Sequence, residues 1–594
     1  MPTNCDTVLL GDFNINFNDK ESPNTISLSI LLQSFNLRMH VYSPTRVTRY
    51  SSTLIDYFCS SFGSQVDCSV IASGLSDHEA VLGRVCFQSS SKKQKHKFGR
   101  LFSGANYNKF VQICSKVNWN SIMQTVEPLL NFHLKLKECF NQAFPIQKIK
   151  LKSKKPWFTN GLRVSAANMR CLHTIRKFTN NYNFHIYFQN YRSVYRKLIK
   201  LAKDKYYSSR LTASNNLQRE SWAIINELRG SDLSHSNIPN ITPDNLNNYY
   251  CTIAENLTNK LIQVRDPLSY LKDITVQQSF FFSPTDYNEI LQIISSIKNK
   301  ASHGEDNVSA KIFLSLPEVA LRALSEAINH LWVCGLYPSS LKNATVIPLH
   351  KGGTWEDPGN FRPISLLSTI SKIVEKLVKV RMVSFLEQHK IIHFSQFGFQ
   401  SQKGTSDAIF QFLERVYCGL NEREAVAAVF CDLSKAFDCV SHEILLGKLA
   451  MYGFRGEVLR FFESFLKDRM QRVVIGSESS DLARISWGVP QGSVLGPILF
   501  LLYINDLPLI NIQGEFTLFA DDATILWHNP DVGLLRDTIL SDLPKINEWC
   551  SSNFPTLNIK KTNIVSFNCV LDRMDIGGLL LETRTETKFL GLRY

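Results

Sequence analysis

TLFADDATIL, residues 517–526, sets Asp521 and Asp522 between two short apolar runs. Both runs are rich in β-forming residues, so the pattern predicts two strands with the aspartates at the turn between them. Adjacent carboxylates repel each other. Keeping both ionised calls for a nearby cation, and Mg2+ is the obvious hard partner for oxygen ligands. Taken alone, such a pair is also what an ordinary polar turn contains.

Upstream lies AVAAVFCDLSKAFDCVSHEILLGKL, residues 425–449. The run Ala425 to Cys431 reads as a buried strand, with Asp432 at its end, where open α/β sheets tend to display functional groups. Asp438, a little further on, reads as a helix cap or a surface acid. Between this segment and the Asp-Asp pair comes WGVPQGSVLGPILFLLYINDLP, residues 487–508. Pro490, Gln491, Gly492 and Ser493 predict a tight turn, and an apolar helix is expected from about Val494 to Asn505. Gly492 would let a substrate come close to the backbone.

Hydrophobic residues make up 44% and charged residues 20% of the 594 positions, which excludes a disordered tail protein and predicts several globular domains. The net charge of +14 is unevenly placed. Residues 92–210 hold 25 Lys/Arg against 3 Asp/Glu, an excess of +22 that leaves the rest of the chain at −8. A polyanionic partner is therefore expected, and its footprint lies in one segment. That segment opens with a Ser/Lys-rich stretch near residue 90, read as a linker. It continues in a helical pattern whose aromatic rings alternate with Lys and Arg. Such a mixture suits base stacking and phosphate contact, and equally suits a solvated basic face over an apolar seam. The 14 cysteines form no C-x-x-C pair, so neither a zinc site nor a disulfide framework is expected. No signal peptide or transmembrane run is read, which predicts an intracellular chain that does not engage membranes.

In order, the strand-end Asp, the PQGS turn with its apolar helix, and the A-D-D hairpin resemble the palm of a reverse transcriptase, and most closely that of non-LTR (LINE-like) retrotransposon polymerases. HKGG (350–353) and NFRPISLLSTISKIVEKLV (360–378) resemble the fingers motifs of that family. FGFQSQKGTSDAI (397–409), LNIKKTNIVSF (557–567) and KFLGL (588–592) resemble its remaining palm motifs. The resemblance implies an RNA-directed DNA polymerase working by a two-Mg mechanism, with Mn2+ as an alternative ion. Asp432, Asp521 and Asp522 would be the metal carboxylates. Lys351 and Arg362 would bind the triphosphate, and Lys561 would lie near the leaving pyrophosphate. Gln491 and Gly492 would lie beside the nucleotide, and Phe437 would exclude a ribose 2′-hydroxyl. The implied partners are an RNA template, a DNA primer or target, and dNTPs. By the same resemblance the chain would act in the nucleus, in target-primed reverse transcription.

Near the N-terminus, GDFNINF (11–17), SPTR (43–46), STLIDY (52–57) and SDHEAV (76–81) resemble the later motifs of the endonuclease/exonuclease/phosphatase family, in its LINE branch. That resemblance sets Asp12 and Asn14 beside a scissile phosphate, Asp56 behind the histidine, and Asp77 and His78 at a histidine–water system, with a divalent metal binding the phosphate. The earlier half of that family precedes GDFN and would supply a metal-binding Glu, so this site is expected to be vestigial. The family's helical thumb would follow KFLGLRY, so duplex grip is expected to be weak.

The expected architecture is mixed α/β and α+β: a partial endonuclease α/β sandwich over 1–90, a basic helical connector over 91–283, and right-hand fingers and palm without a full thumb over 284–594. Two readings stay open: an active polymerase, and a catalytically inactive remnant that only binds nucleic acid.

Overall fold

A computed structural model describes residues 7–593, apart from 49, 62–65, 74–75, 86–97, 149–155, 215, 230–240, 260–262, 273–275, 298–303, 559–560, 572, 577–578 and 585. The linker read near residue 90 lies largely outside the described residues. The chain is mixed α/β and divides into two compact units, one of Met1–Gly99 with Gln147–Leu233 and one of Arg100–Ile146 with Ser234–Tyr594. Residues 91–283 are thus shared between the two units.

In the first unit, the Asp56–Ser60 strand is central to a three-stranded antiparallel sheet, flanked by Val8–Asp12 and Arg38–Met39. Its core is built from Leu32, Leu37, Leu54, Tyr57, Phe58 and Cys59. A separate hairpin pairs Val66–Ile71 with Ala80–Val85. The basic segment forms two long helices, Asn160–Phe178 and Tyr182–Thr212. Asn181 caps the second by accepting from the backbone N–H groups of Asn183 and Phe184. The helices share an apolar seam of Leu162, Met169, Phe188 and Tyr195, while Tyr187, Val194, Leu198 and Leu201 are exposed.

The second unit is organised by the Ala425–Ser434 strand. It pairs antiparallel with Asp522–Asn529 on one side and Asn563–Ser566 on the other, and Glu515–Phe519 pairs with the outer edge of Asp522–Asn529. Both faces of this strand are buried. Ala427 and Val429 belong to the main core, and Val426, Ala428 and Phe430 belong to a second cluster with Phe412 and Phe589. Two buried faces explain why the sequence here is an unbroken apolar run rather than an alternating one. The strand extends past the expected Cys431 to Ser434, because Leu433 and Ser434 find partners in Leu557 and Thr556. Asp432 therefore lies within the strand rather than after it.

The apolar segment forms the Gly496–Ile504 helix, buried all round, as expected of a helix that is hydrophobic on every face. A second sheet joins Phe361–Leu366 antiparallel to Asn343–His350, which runs parallel to Arg469–Ile475. The Pro243–Thr258 helix belongs to this unit too, with Asn247 Nδ2 donating to Asp481 O at 2.9 Å. No helix among the described residues is long and apolar enough to cross a membrane.

Candidate active site

The A-D-D segment folds as a tight hairpin in which Phe519 pairs with Asp522. Ala520 takes φ 58°, the positive value that a two-residue hairpin turn of this hand needs at its first position. Asp521 lies at the tip, and Asp522 opens the following strand. Register then sets Asp432 directly opposite Asp522. Three carboxylates from two segments far apart in sequence meet at one end of the sheet.

Their electrostatics follow from that crowding. Burial, and then the charges of Asp521 and Asp432, push the Asp522 carboxyl up to about 6, against the pull of Lys561. Asp521 also lies above its usual range, through burial first and then Asp432, although its own backbone N–H and the Arg362 and Lys351 charges draw it down. Lys561 Nζ approaches Asp432 Oδ2 at 3.4 Å.

A cleft of about 740 Å³ opens beside these acids. Asp432 and Asp521 line it, as do Lys351, Arg362, Phe437, Gln491, Gly492 and Lys561. Asp522 faces an adjoining cavity of about 430 Å³, which Asp432 and Lys561 also line. The fold thus brings together all nine residues singled out in this half of the sequence.

Four of them are set by identifiable local causes. Lys351 follows the Asn343–His350 strand, and its N–H donates to Asn360 O at 2.8 Å. Burial, then Lys435 and Arg362, hold its ammonium down at about 8. Phe437 stacks on Phe500 with centroids 4.1 Å apart and 21° between planes, and meets Phe399 edge-on at 6.2 Å. In the PQGS turn, Gln491 O accepts from Ser365 N at 2.7 Å. Gly492 has φ 118°, and a Cβ there would fall 2.6 Å from Ser365 O, so both backbone angle and space require glycine.

Three further residues shape the cleft. Asp438 is no cap: its Oδ1 accepts from Gln491 Nε2 at 2.8 Å. Glu375 is fully buried, and its Oε2 accepts from Val494 N at 2.6 Å and Leu495 N at 3.2 Å. Lys435 lines the same cleft. The sequence signal for Glu375 was a charge in the middle of the apolar stripe of TISKIVEKLV. For Lys435 and Asp438 it was only their nearness to Asp432.

In the first unit, Asp12 and Asp56 are register partners, and His78 Nδ1 lies 2.9 Å from Asp56 Oδ2. Ligand atoms of Asp12, Asp56 and His78 all lie within 4.8 Å of one another. Asn14 sits beside them at φ 54°, its N–H donating to Asp12 Oδ1 at 3.0 Å. Asp77 points elsewhere and pairs with Arg46 at 2.9 Å. Asp56 is thus the carboxylate on His78, while Asp77, read from the sequence as part of the histidine–water system, is engaged by Arg46. Glu79, next in sequence, is buried against Lys177 and His173 of the Asn160–Phe178 helix.

Residues 349–594 match the family described as reverse transcriptase (RNA-dependent DNA polymerase). The chain is similar to the probable RNA-directed DNA polymerase from transposon BS of Drosophila melanogaster, at 28% identity over 330 residues, covering 53% of this chain and 36% of that protein. It is likewise similar to the RNA-directed DNA polymerase from mobile element jockey of Drosophila funebris, at 30% over 320 residues, with coverages of 52% and 35%. A third relative is the probable RNA-directed DNA polymerase from transposon X-element of Drosophila melanogaster, at 29% over 297 residues, 49% of this chain and 33% of that protein. The chain spans about a third of the length of these relatives.

Proposed function

We propose, from the premise that residues 349–594 are a reverse transcriptase domain of the non-LTR retrotransposon type, that the chain is an RNA-directed DNA polymerase of a LINE-like element. It extends a DNA 3′-end on an RNA template, in target-primed reverse transcription at nuclear DNA. The observation that carries this reading is the register of Asp432 against Asp522, with Asp521 at the adjoining turn.

The donor set fits a hard divalent ion. Three carboxylates offer oxygen alone, and the burial and mutual repulsion that together raise the Asp522 carboxyl are what such a cation offsets. Asp432, Asp521 and Asp522 would hold Mg2+, or Mn2+ in its place. When bound, the metal supplies Lewis-acid stabilisation of charge on the reacting oxygens.

The chain's own residues do the rest. In the reaction the primer 3′-hydroxyl gives up its proton to solvent, its oxygen forms a bond to the α-phosphorus, the bond from that phosphorus to the bridging oxygen breaks, and pyrophosphate leaves. Lys351 and Arg362 bind the triphosphate, Arg362 with the planar fork suited to phosphate oxygens. Lys561 neutralises charge near the leaving pyrophosphate. Gln491 and the open backbone at Gly492 border the nucleotide. Phe437, fixed by its stack on Phe500, stands where a 2′-hydroxyl would clash. The strand-rich parts of 284–594 are read as fingers and palm, 91–283 as a connector whose basic helices add phosphate contacts, and 1–90 as endonuclease-like. The Asp12–Asp56–His78 cluster supports that last assignment.

Primer extension on oligo(dT)-primed poly(rA), with dTTP and Mg2+ at low salt, tests the proposal. Extension by wild type and none by the Asp521→Ala/Asp522→Ala protein is expected. Absence of extension by folded, duplex-binding wild type overturns it in favour of an inactive remnant.

A further inference from the structure

The wall of the cleft facing the carboxylates carries three cations, of which the family motifs named two. Lys351 and Arg362 come from the two ends of a β-hairpin loop, and Lys435 comes from the turn directly after the Ala425–Ser434 strand. Among the described residues none of the three has a carboxylate within ion-pair distance. Asp438 is close enough to be felt by Lys351 and Lys435, but its Oδ1 is taken by Gln491. We infer that Lys435 is a third triphosphate ligand, completing with Lys351 and Arg362 a site for the polyphosphate of the incoming nucleotide. The inference rests on the polymerase reading above and deepens it.

Three observations carry it. The first is mutual repulsion. Lys435 and Lys351 line the same cleft, and after burial the Lys435 charge is the largest cause that depresses the Lys351 ammonium. Two ammonium groups facing one another without an anion are unfavourable, and a polyanion between them reverses the sign of the interaction. The second is backbone conformation. Lys435 takes φ 48°, where a residue with a Cβ is strained. The turn is held there by Asp438 N and Cys439 N, which both donate to Lys435 O, at 2.8 and 3.1 Å. In this conformation the Lys435 side chain lines the cleft. The third is support from behind. The Lys435 ammonium lies 5.6 Å from the centre of the Tyr249 ring and 3.4 Å from Gly359 O. Both neighbours orient a cation without neutralising it.

Three cations on one wall also suit the ligand's charge. A single phosphodiester of template or primer carries one negative charge, whereas a nucleoside triphosphate concentrates several on adjacent phosphates, matching a cluster rather than a track.

The test is equilibrium binding of dTTP, in Ca2+, to the full chain on oligo(dT)/poly(rA), with inorganic tripolyphosphate as competitor. Lys435→Met and Lys435→Gly are each expected to weaken dTTP and tripolyphosphate about tenfold, and Lys435→Arg to stay within about threefold of wild type. Lys435→Gly accepts the positive φ without strain, so its loss cannot be assigned to misfolding of the turn. Duplex affinity should be unchanged in all three. Wild-type-like dTTP binding by Lys435→Met and Lys435→Gly overturns the inference and leaves the polymerase reading standing. Equal loss of duplex and dTTP binding also overturns it, because the role would then be structural. No dTTP binding by wild type itself removes the polymerase reading, and this inference with it.

Discussion

Gln491 Nε2 donates to Asp438 Oδ1 over 2.8 Å, tying the PQGS turn to the segment that follows Asp432. The amide of Gln491 is thereby fixed, with its carbonyl oxygen turned away from Asp438. Burial raises the Asp438 carboxyl, while Lys435, Gln491 and Lys351 draw it back. On the proposed function, in which Gln491 borders the nucleotide, Asp438 would act on it through Gln491 and so be a positioning residue. A hydrogen bond to a charged group contributes about 1.5–3 kcal/mol. Asp438→Ala should therefore raise the dNTP KM by about tenfold or more with a smaller change in kcat, and Asp438→Asn, which keeps an acceptor, should recover much of it. Steady-state kinetics with varied dTTP would check this. An unchanged KM in Asp438→Ala would remove the positioning role.

Lys351 gives the cleft a pH dependence. Its ammonium titrates at about 8, below the ordinary 10.5, because of burial and then of Lys435 and Arg362. Between these values the unfolded chain holds more protons than the folded one, so this group's contribution to stability grows as pH rises from 8 to 10.5. Nucleotide binding runs the other way. A triphosphate favours the charged form, so dNTP affinity should fall as pH climbs through about 8. Lys351→Arg, whose guanidinium stays charged throughout, should flatten that limb. KM for dTTP measured from about pH 7 to 9.5 in both proteins would show it, and an identical limb in the variant would assign the titration elsewhere.

The parts of this fold legible in the sequence are those governed by local pattern. TLFADDATIL announced a hairpin because β-rich apolar flanks surround a turn, whereas Gly492 was read as room for a substrate and its close neighbour is the Ser365 backbone. The end of the strand at Ser434 was not legible, since its last pairs are made with Thr556 and Leu557, a long-range match that periodicity does not encode. Asp438 looked like a cap for the same reason: its partner arrives from another segment. The Arg46–Asp77 pair was not legible either, because its two residues lie 31 positions apart in different segments. Tyr249 lies outside the motif-bearing region, and only the packed helix brings it to Lys435.

Glu375 is the strongest case of a residue hidden by its helix. Its carboxylate accepts from Ser371 Oγ at 2.7 Å as well as from Val494 N and Leu495 N. It thereby satisfies backbone groups at the start of the Gly496–Ile504 helix and holds the end of the PQGS turn. Glu375→Ala would take the acceptor from the Val494 and Leu495 N–H groups, at about 1–3 kcal/mol each before relaxation, while Ser371 Oγ would keep its bond to the Tyr337 hydroxyl. A loss of roughly 3 kcal/mol or more in urea unfolding is expected, with Glu375→Gln clearly milder because it keeps one acceptor. A loss below about 1 kcal/mol in Glu375→Ala would mean that the turn holds itself.

Lys448 and Asp506 provide a stability test remote from the chemistry. Both side chains are fully buried, and Lys448 Nζ donates to Asp506 Oδ1 at 2.8 Å and to Tyr503 O at 2.6 Å. The rings of Tyr503 and Trp549 lie 4.9 and 5.3 Å from the ammonium. The pair joins the His442–Met451 helix to the end of the buried Gly496–Ile504 helix. Such a pair gives little net stability over an apolar replacement, but removing one partner strands a charge in an apolar core, at about 3–5 kcal/mol. Lys448→Met and Asp506→Leu should each destabilise by about that amount, whereas the double variant should lose less than either single one. Denaturant unfolding of all four proteins closes the cycle. If the two losses simply add, the ions are not each other's compensation, and the Tyr503 carbonyl and the two rings must be what keeps Lys448 charged in the core.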